Sequence, residues 1–173
     1  MNFFDFLAMG VRLSLPLIFA AYGGMFSERA GVANIALEGF LLFSSFAAAA
    51  TMTLTGNLPL SFAAGVLLTL VVALIFCFFT LRARADQIIT GMAINLLAMG
   101  VIPVLCKTLF GSSGQTPSLP MEARFSQPWL FWALALLTVV GSHFYFSTTV
   151  LGIRAWAAGE NPRSLTSQGV KVQ

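Results

Sequence analysis

Charge is scarce in this sequence. Of 173 residues, 9% are Asp, Glu, Lys or Arg, whereas a soluble domain carries about a quarter. There is one histidine, His143, and there are two cysteines, Cys77 and Cys106. A lone imidazole without a Ser-His-Asp set, a metal triad or a phosphate-cradling glycine loop leaves no catalytic residue and no metal ligand set to assign. His143 reads as an interhelical hydrogen bond or an interface position. Both cysteines fall in apolar stretches and lack metal-ligand spacing, so they read as buried small hydrophobes. The net charge of +3 is scattered over the loops. With no basic block, nucleic acid is not an expected partner. The first eleven residues hold Asp5 and no Lys or Arg, which is the wrong start for a signal peptide.

What is abundant is apolar. Hydrophobic residues make up 58% of the chain and Phe occurs 17 times; mean hydropathy is +0.88. A bilayer core of about 30 Å is crossed by roughly 20 apolar helical residues, and several continuous runs reach that length. The short alternating segments of a transmembrane barrel are missing. The sequence therefore predicts an all-α, polytopic transmembrane bundle of about five spans, with the lipid bilayer as its main solvent. The expected spans are 3–25, 32–54, 58–81, 88–106 and 128–151. Tyr22-Gly23-Gly24 is expected to close the first, and Pro103 to end or bend the fourth. Pro16 removes one hydrogen bond from the first, a defect membrane helices tolerate. Trp129 and Trp132 fit an interfacial belt. Two segments follow: a membrane bundle over 1–151 and a cytoplasmic tail over 152–173.

Orientation comes from Lys and Arg. With five alternating spans, Arg29, Arg82, Arg84, Arg154, Arg163 and Lys171 share one side, against Lys107 and Arg124 on the other. The positive-inside rule puts the richer side in the cytoplasm. The N-terminus is then outside, the C-terminus inside, and the Gly/Ser/Pro-rich loop 111–120 outside.

Few residues are left to carry function. Glu38 lies inside an apolar stretch, where an ionisable group is costly and marks a functional position by default. If the stretch is helical from Val32, then Gly31, Asn34 and Glu38 fall near one face. Glu38 would stand about seven residues, roughly 10 Å, above the cytoplasmic rim. That face either packs on a neighbouring helix or lines a polar pathway. Asn95, one turn beyond Gly91, carries the same two readings. In the tail, Asn161 suits an N-cap, Pro162 a first helical position and Gly169 a C-terminal left-handed residue. They delimit a short cytoplasmic helix, 162–168, too short to persist unless docked.

Three blocks resemble a known family. They are Glu28-Arg29-Ala30-Gly31-Val32-Ala33-Asn34-Ile35-Ala36-Leu37-Glu38-Gly39; Arg84 to Leu97, through Asp86, Gly91 and Asn95; and Gly159-Glu160-Asn161-Pro162 with Gly169-Val170. In order and content they resemble the inner-membrane permease subunits of bacterial ABC importers, in the branch that groups ribose, branched-chain amino acid and nucleoside permeases. The first two blocks are most similar to the nucleoside-type sub-branch. The resemblance implies a subunit in the bacterial inner membrane that forms part of the path for a nucleoside or simple sugar. It implies a second permease subunit, a cytoplasmic ABC ATPase that uses the ATP, and an external substrate-binding lipoprotein, with no cofactor in this subunit. Asn34, Glu38 and Asn95 become pathway or gate candidates. Gly159, Glu160, Asn161, Pro162, Arg163 and Gly169 become ATPase-coupling candidates. Leu165 departs from the small alanine such proteins carry there. Family members continue through further spans, so a chain ending at Gln173 is expected to be a fragment or split gene, or a decayed copy. The alternative function is thus a truncated, non-transporting scaffold that binds a partner permease.

Overall fold

The computed structural model describes residues 3–112, 114–118, 128–161 and 166–167, with backbone alone at Phe4 and Pro128. Among the described residues the helices follow one another as α1 Phe3–Arg29, α2 Leu37–Thr55, α3 Leu58–Cys77, α4 Gln87–Phe110, α5 Pro128–Thr148 and α6 Val150–Glu160. A single π-helical turn, Phe78–Arg82, extends α3. No strand occurs among the described residues. Five helices are long and apolar enough to cross a membrane: 5–29, 37–55, 58–82, 87–110 and 129–148. The all-α bundle of about five spans is therefore what the chain forms. In no span is more than 22% of the most apolar window buried within the chain, so most apolar side chains of the described residues face outward.

Local chemistry sets the helix ends. Gly23 and Gly24 do not stop α1, because in a helix glycine costs only about 1 kcal/mol relative to alanine. The stop is Gly31, whose φ of +84° few other residues adopt. Its N–H donates to the Glu28 carbonyl at 2.9 Å and the Val32 N–H to the Ser27 carbonyl at 2.9 Å, the paired bonds of a Schellman cap. Gly56 (φ +65°) ends α2, and Asn57 starts α3 by accepting from the Leu60 N–H. Asp86 starts α4, its carboxylate accepting from the Ile88 and Ile89 N–H groups at 2.9 and 3.0 Å. Pro103 sits inside α4, which runs on to Gly111 (φ +72°). Thr149 breaks the chain after α5 and caps α6 through the Gly152 N–H at 3.0 Å. The 151/152 division thus falls inside a helix.

Two compact units result. One comprises residues 34–126; the other comprises 1–33 with 127–173. In the first, α2 packs on α3 and on α4. Gly65 admits α2 so closely that a methyl group there would lie 3.0 Å from the Ser44 carbonyl oxygen. The buried Ser61 hydroxyl donates to the Ala48 carbonyl across the same seam. Phe46, Ala50 and Cys106 form a core flanked by Ile102, Leu105 and Phe110. Cys77, by contrast, is exposed, because the pitch of α3 turns it away from the α2 seam. In the second unit α1, α5 and α6 pack together. His143 is exposed on α5, edge-on to the Phe144 ring at 6.4 Å.

Candidate functional site

The candidates fall into two groups, one in each unit. Asn34, Glu38 and Asn95 belong to the first. The span expected from Val32 is not helical at its start: α2 begins at Leu37. The reason lies on both sides of the break. Gly31 closes α1 in a left-handed cap, and the Asn34 side chain accepts from the Ala36 N–H at 3.2 Å, a local turn that competes with helix. Gly31 and Asn34 therefore share no helical face with Glu38, and its placement seven helical residues above the rim does not hold. Glu38 is exposed in the first turn of α2, where a carboxylate complements the helix dipole.

Asn95 accounts for how the break is held. The residue preceding α2 is Ala36, which offers no capping side chain. Asn95, reaching over from α4, takes that role. Its Oδ1 accepts from the Gly39 N–H at 2.8 Å, and its Nδ2 donates to the Ile35 carbonyl at 3.0 Å. One amide thus satisfies a free donor of the first helical turn and an acceptor of the linker before it. Gly39 and Gly91 make this reach feasible. A methyl on Gly39 would lie 2.9 Å from Asn95 Oδ1, and one on Gly91 would lie 3.0 Å from Ile35 Cβ. Ala36 and Ala98 are fully buried against the seam. The structure thus brings Asn95 to residues 35–39, and the bonds it makes are structural ones.

The second group gathers where α1, α5 and α6 end together. Phe26 stacks on Tyr145 and Phe146, with centroids 5.6 and 4.8 Å apart. The Arg29 guanidinium lies over the Trp156 ring at 4.6 Å and the Phe146 ring at 5.4 Å. Such cation–π contacts are worth about 0.5–2 kcal/mol each, more when water is excluded. Gly159 then meets the capped end of α1 backbone to backbone: a methyl on Gly31 would sit 3.0 Å from Gly159 Cα. Met25, Glu28, Arg29, Trp156, Gly159 and Glu160 line an open cleft of about 330 Å³. Asn161 ends α6, its N–H donating to the Ala157 carbonyl at 3.0 Å. Pro162, Arg163 and Gly169 lie outside the described residues, as does most of the expected 162–168 helix; Thr166 and Ser167 are helical.

Sequence reasoning missed Arg29, Gly31 and Trp156 as one cluster. A signal was present: Gly31 follows an arginine at the end of an apolar run, as a C-terminal cap would. The partner α6 offered none, because Thr149 is an inconspicuous cap.

Residues 6–173 match the family described as branched-chain amino acid transport system / permease component. The chain is 31% identical to the guanosine ABC transporter permease protein NupQ of Bacillus subtilis over 91% of its own length and 56% of the relative's. It is 28% identical to the nucleoside ABC transporter permease protein NupC of Lactococcus lactis, over 92% and 57%. It is equally 28% identical to TsgC13 of Haloferax volcanii, whose name proposes a glucose ABC transporter permease, over 94% and 54%. The chain thus spans little more than half the length of these curated relatives. No solved structure matches it.

Proposed function

The chain belongs to the family of permease components of branched-chain amino acid transport systems, and from that premise we propose that it is a permease subunit of an ATP-binding-cassette importer for a nucleoside. As a member of this family with five apolar helices, it is a multi-pass protein of the cytoplasmic membrane. The observation that carries the reading is the match over nearly the whole chain, together with relatives named for guanosine and nucleosides. A simple sugar is the second cargo, favoured by the relative named for glucose.

In this reading the subunit carries out no covalent chemistry. ATP is bound and hydrolysed by a cytoplasmic ATPase, a second permease subunit completes the path, and an external binding lipoprotein delivers solute. The lysine and arginine count sets the N-terminus outside and the ends of α1, α5 and α6 in the cytoplasm. Gly159, Glu160 and Asn161, with Pro162, Arg163 and Gly169, then form the surface that meets the ATPase. The Arg29–Trp156 contacts and the Gly31–Gly159 approach support that assignment, since they tie α6 firmly to α1. Glu38 and Asn34, at the start of α2, stand as gate candidates on the inner side, and Asn95 is the residue that positions them.

The test is uptake. Membrane vesicles carrying the complete transporter accumulate labelled guanosine only with ATP, and labelled glucose more slowly. Vesicles without this chain accumulate neither. Guanosine uptake that is unchanged when the chain is deleted contradicts the reading.

A further inference from the structure

The end of α3 is wound so that its last residues face two ways. In the π-helical turn Phe78–Arg82, Thr80 is buried and its hydroxyl donates to the Phe76 carbonyl at 2.8 Å. Phe78, Phe79 and Leu81 are left exposed, as are Ile88 and Ile89 on the first turn of α4. The chain then turns through two wide hydrogen-bonded loops. The Ala83 N–H donates to the Phe78 carbonyl and the Ala85 N–H to the Phe79 carbonyl, both at 2.9 Å. Between them Arg84 takes a φ of +53°, and among the described residues no other non-glycine residue has a positive φ. A β-carbon makes that conformation costly, and glycine relieves the cost.

The two apolar spans that meet here end at Arg82 and begin again at Gln87. Arg82 and Arg84 therefore stand at the edge of the apolar layer, where lipid headgroups begin, and both are exposed. Arg82 complements the free carbonyls of a helix end, a role that any cation there fills. Arg84 lies beyond the helix, and glycine would hold the same turn without strain. What glycine lacks is the guanidinium. Within the linker 82–86 two arginines stand against one carboxylate. That carboxylate, on Asp86, already accepts from the Ile88 and Ile89 N–H groups at 2.9 and 3.0 Å, so an anion at this corner is left to the arginines. Guanidinium forks match the oxygens of a phosphate. One helical turn deeper along each span come the exposed aromatic and aliphatic side chains. We infer that this corner between α3 and α4 binds an anionic phospholipid, with its phosphate held by Arg82 and Arg84 and its acyl chains lying along Phe78, Phe79, Leu81, Ile88 and Ile89. A zwitterionic lipid also brings a phosphate, but its cationic group meets the same two arginines, and this sets the preference for net negative charge. The site requires only that the two spans cross a bilayer, so it stands apart from the question of which solute is carried.

The test is lipid retention. The complete transporter, purified in mild detergent, is offered phosphatidylglycerol and phosphatidylcholine in equal amounts, and bound lipid is read by native mass spectrometry. Phosphatidylglycerol is retained over phosphatidylcholine by about tenfold, the effect of two basic residues at a membrane surface. Arg82→Gln and Arg84→Gly each lower that preference about threefold. Arg84→Gly is the variant in which folding is not at stake, because the turn favours glycine. Its melting temperature without added lipid is unchanged or higher. Arg154→Gln, which removes an exposed arginine from α6, leaves the preference as it was. Inorganic phosphate in large excess does not displace the lipid, which separates a lipid headgroup from a free phosphate. Equal retention of the two lipids, displacement by phosphate, or as large a loss in Arg154→Gln as in Arg84→Gly overturns the inference. A lower melting temperature in Arg84→Gly also overturns it, since Arg84 would then serve the fold. So does a loss of ATPase from the purified Arg84→Gly transporter at undiminished lipid preference, which would give that arginine to a protein partner.

Discussion

In an ATP-driven importer of the proposed kind, Gly159→Val is expected to lower uptake by about tenfold or more while the chain still inserts in the membrane. The physical reason is the closeness of two backbones. A methyl group on Gly159 would collide with the Arg29 carbonyl oxygen and sit 2.9 Å from the Gly31 nitrogen. Neither can swing aside as a long side chain does. Both belong to the capped end of α1, whose bonds from Gly31 to Glu28 and from Val32 to Ser27 fix them. Valine adds two further carbons, so α6 has to leave α1 or the cap has to open. Overpacking of this kind costs about 1–3 kcal/mol and sometimes more. Separating α6 from α1 also separates Trp156 from Arg29, a further loss of about 0.5–2 kcal/mol. Uptake in vesicles is expected to fall by about tenfold or more, with normal amounts of chain in the membrane. Gly141→Ala is the control. Beyond its own stretch of helix, no described atom lies within 4 Å of a methyl placed there, and alanine in a helix is favoured over glycine by roughly 0.5–1 kcal/mol. Uptake is unchanged in that variant. Full activity in Gly159→Val would show that the end of α6 need not sit on α1.

Asn95→Ala is the second change with a large expected effect, and it acts through the backbone. It strips the Gly39 N–H and the Ile35 carbonyl of their partner in one step. Gly39 is buried, so water does not readily replace the acceptor its N–H loses, whereas the Ile35 carbonyl lies in an exposed stretch and can turn to water. A buried polar group left unsatisfied costs about 1–3 kcal/mol. The first turn of α2 then loses its inter-helix cap and frays, together with Glu38. The expected readout is hydrogen exchange: the Gly39 and Phe40 amides exchange about tenfold faster or more, while the Phe46–Ala50 amides keep their protection. Asn95→Asp keeps an acceptor for Gly39 but puts an oxygen opposite the Ile35 carbonyl, so it recovers only part of the protection. If exchange at Gly39 is unaffected by Asn95→Ala, the clamp does not hold the break.

These two sites show what the sequence discloses and what it hides. The five spans were legible because composition and length alone decide them. The start of α2 was not. Asn34 and Glu38 have the spacing of a helical face, but the cap that decides where the helix begins comes from Asn95, some sixty positions away. Gly23-Gly24 misled in the opposite direction, and α4 likewise does not end at Pro103. Their local cost is smaller than the cost of leaving backbone groups unpaired in an apolar span, so the helices run through them. The depth expected for Glu38 was misjudged, because α2 begins only at Leu37 and no helix runs below it from Val32. Gly159 and Glu160 were singled out by family resemblance. The contact of Gly159 with the end of α1 depends on a helix, α6, that the polar reading of the tail passed over.

The central claim is that this chain serves an ATPase at the end of α6. Affinity purification of the tagged chain in mild detergent tests it most directly. The account predicts that an ABC ATPase subunit is recovered in stoichiometric amount, and that Glu160→Arg lowers the recovery by about tenfold, the effect of one lost interfacial contact of roughly 1.4 kcal/mol. A chain recovered with its partner permease but without any ATPase, or an association indifferent to Glu160→Arg, would contradict it.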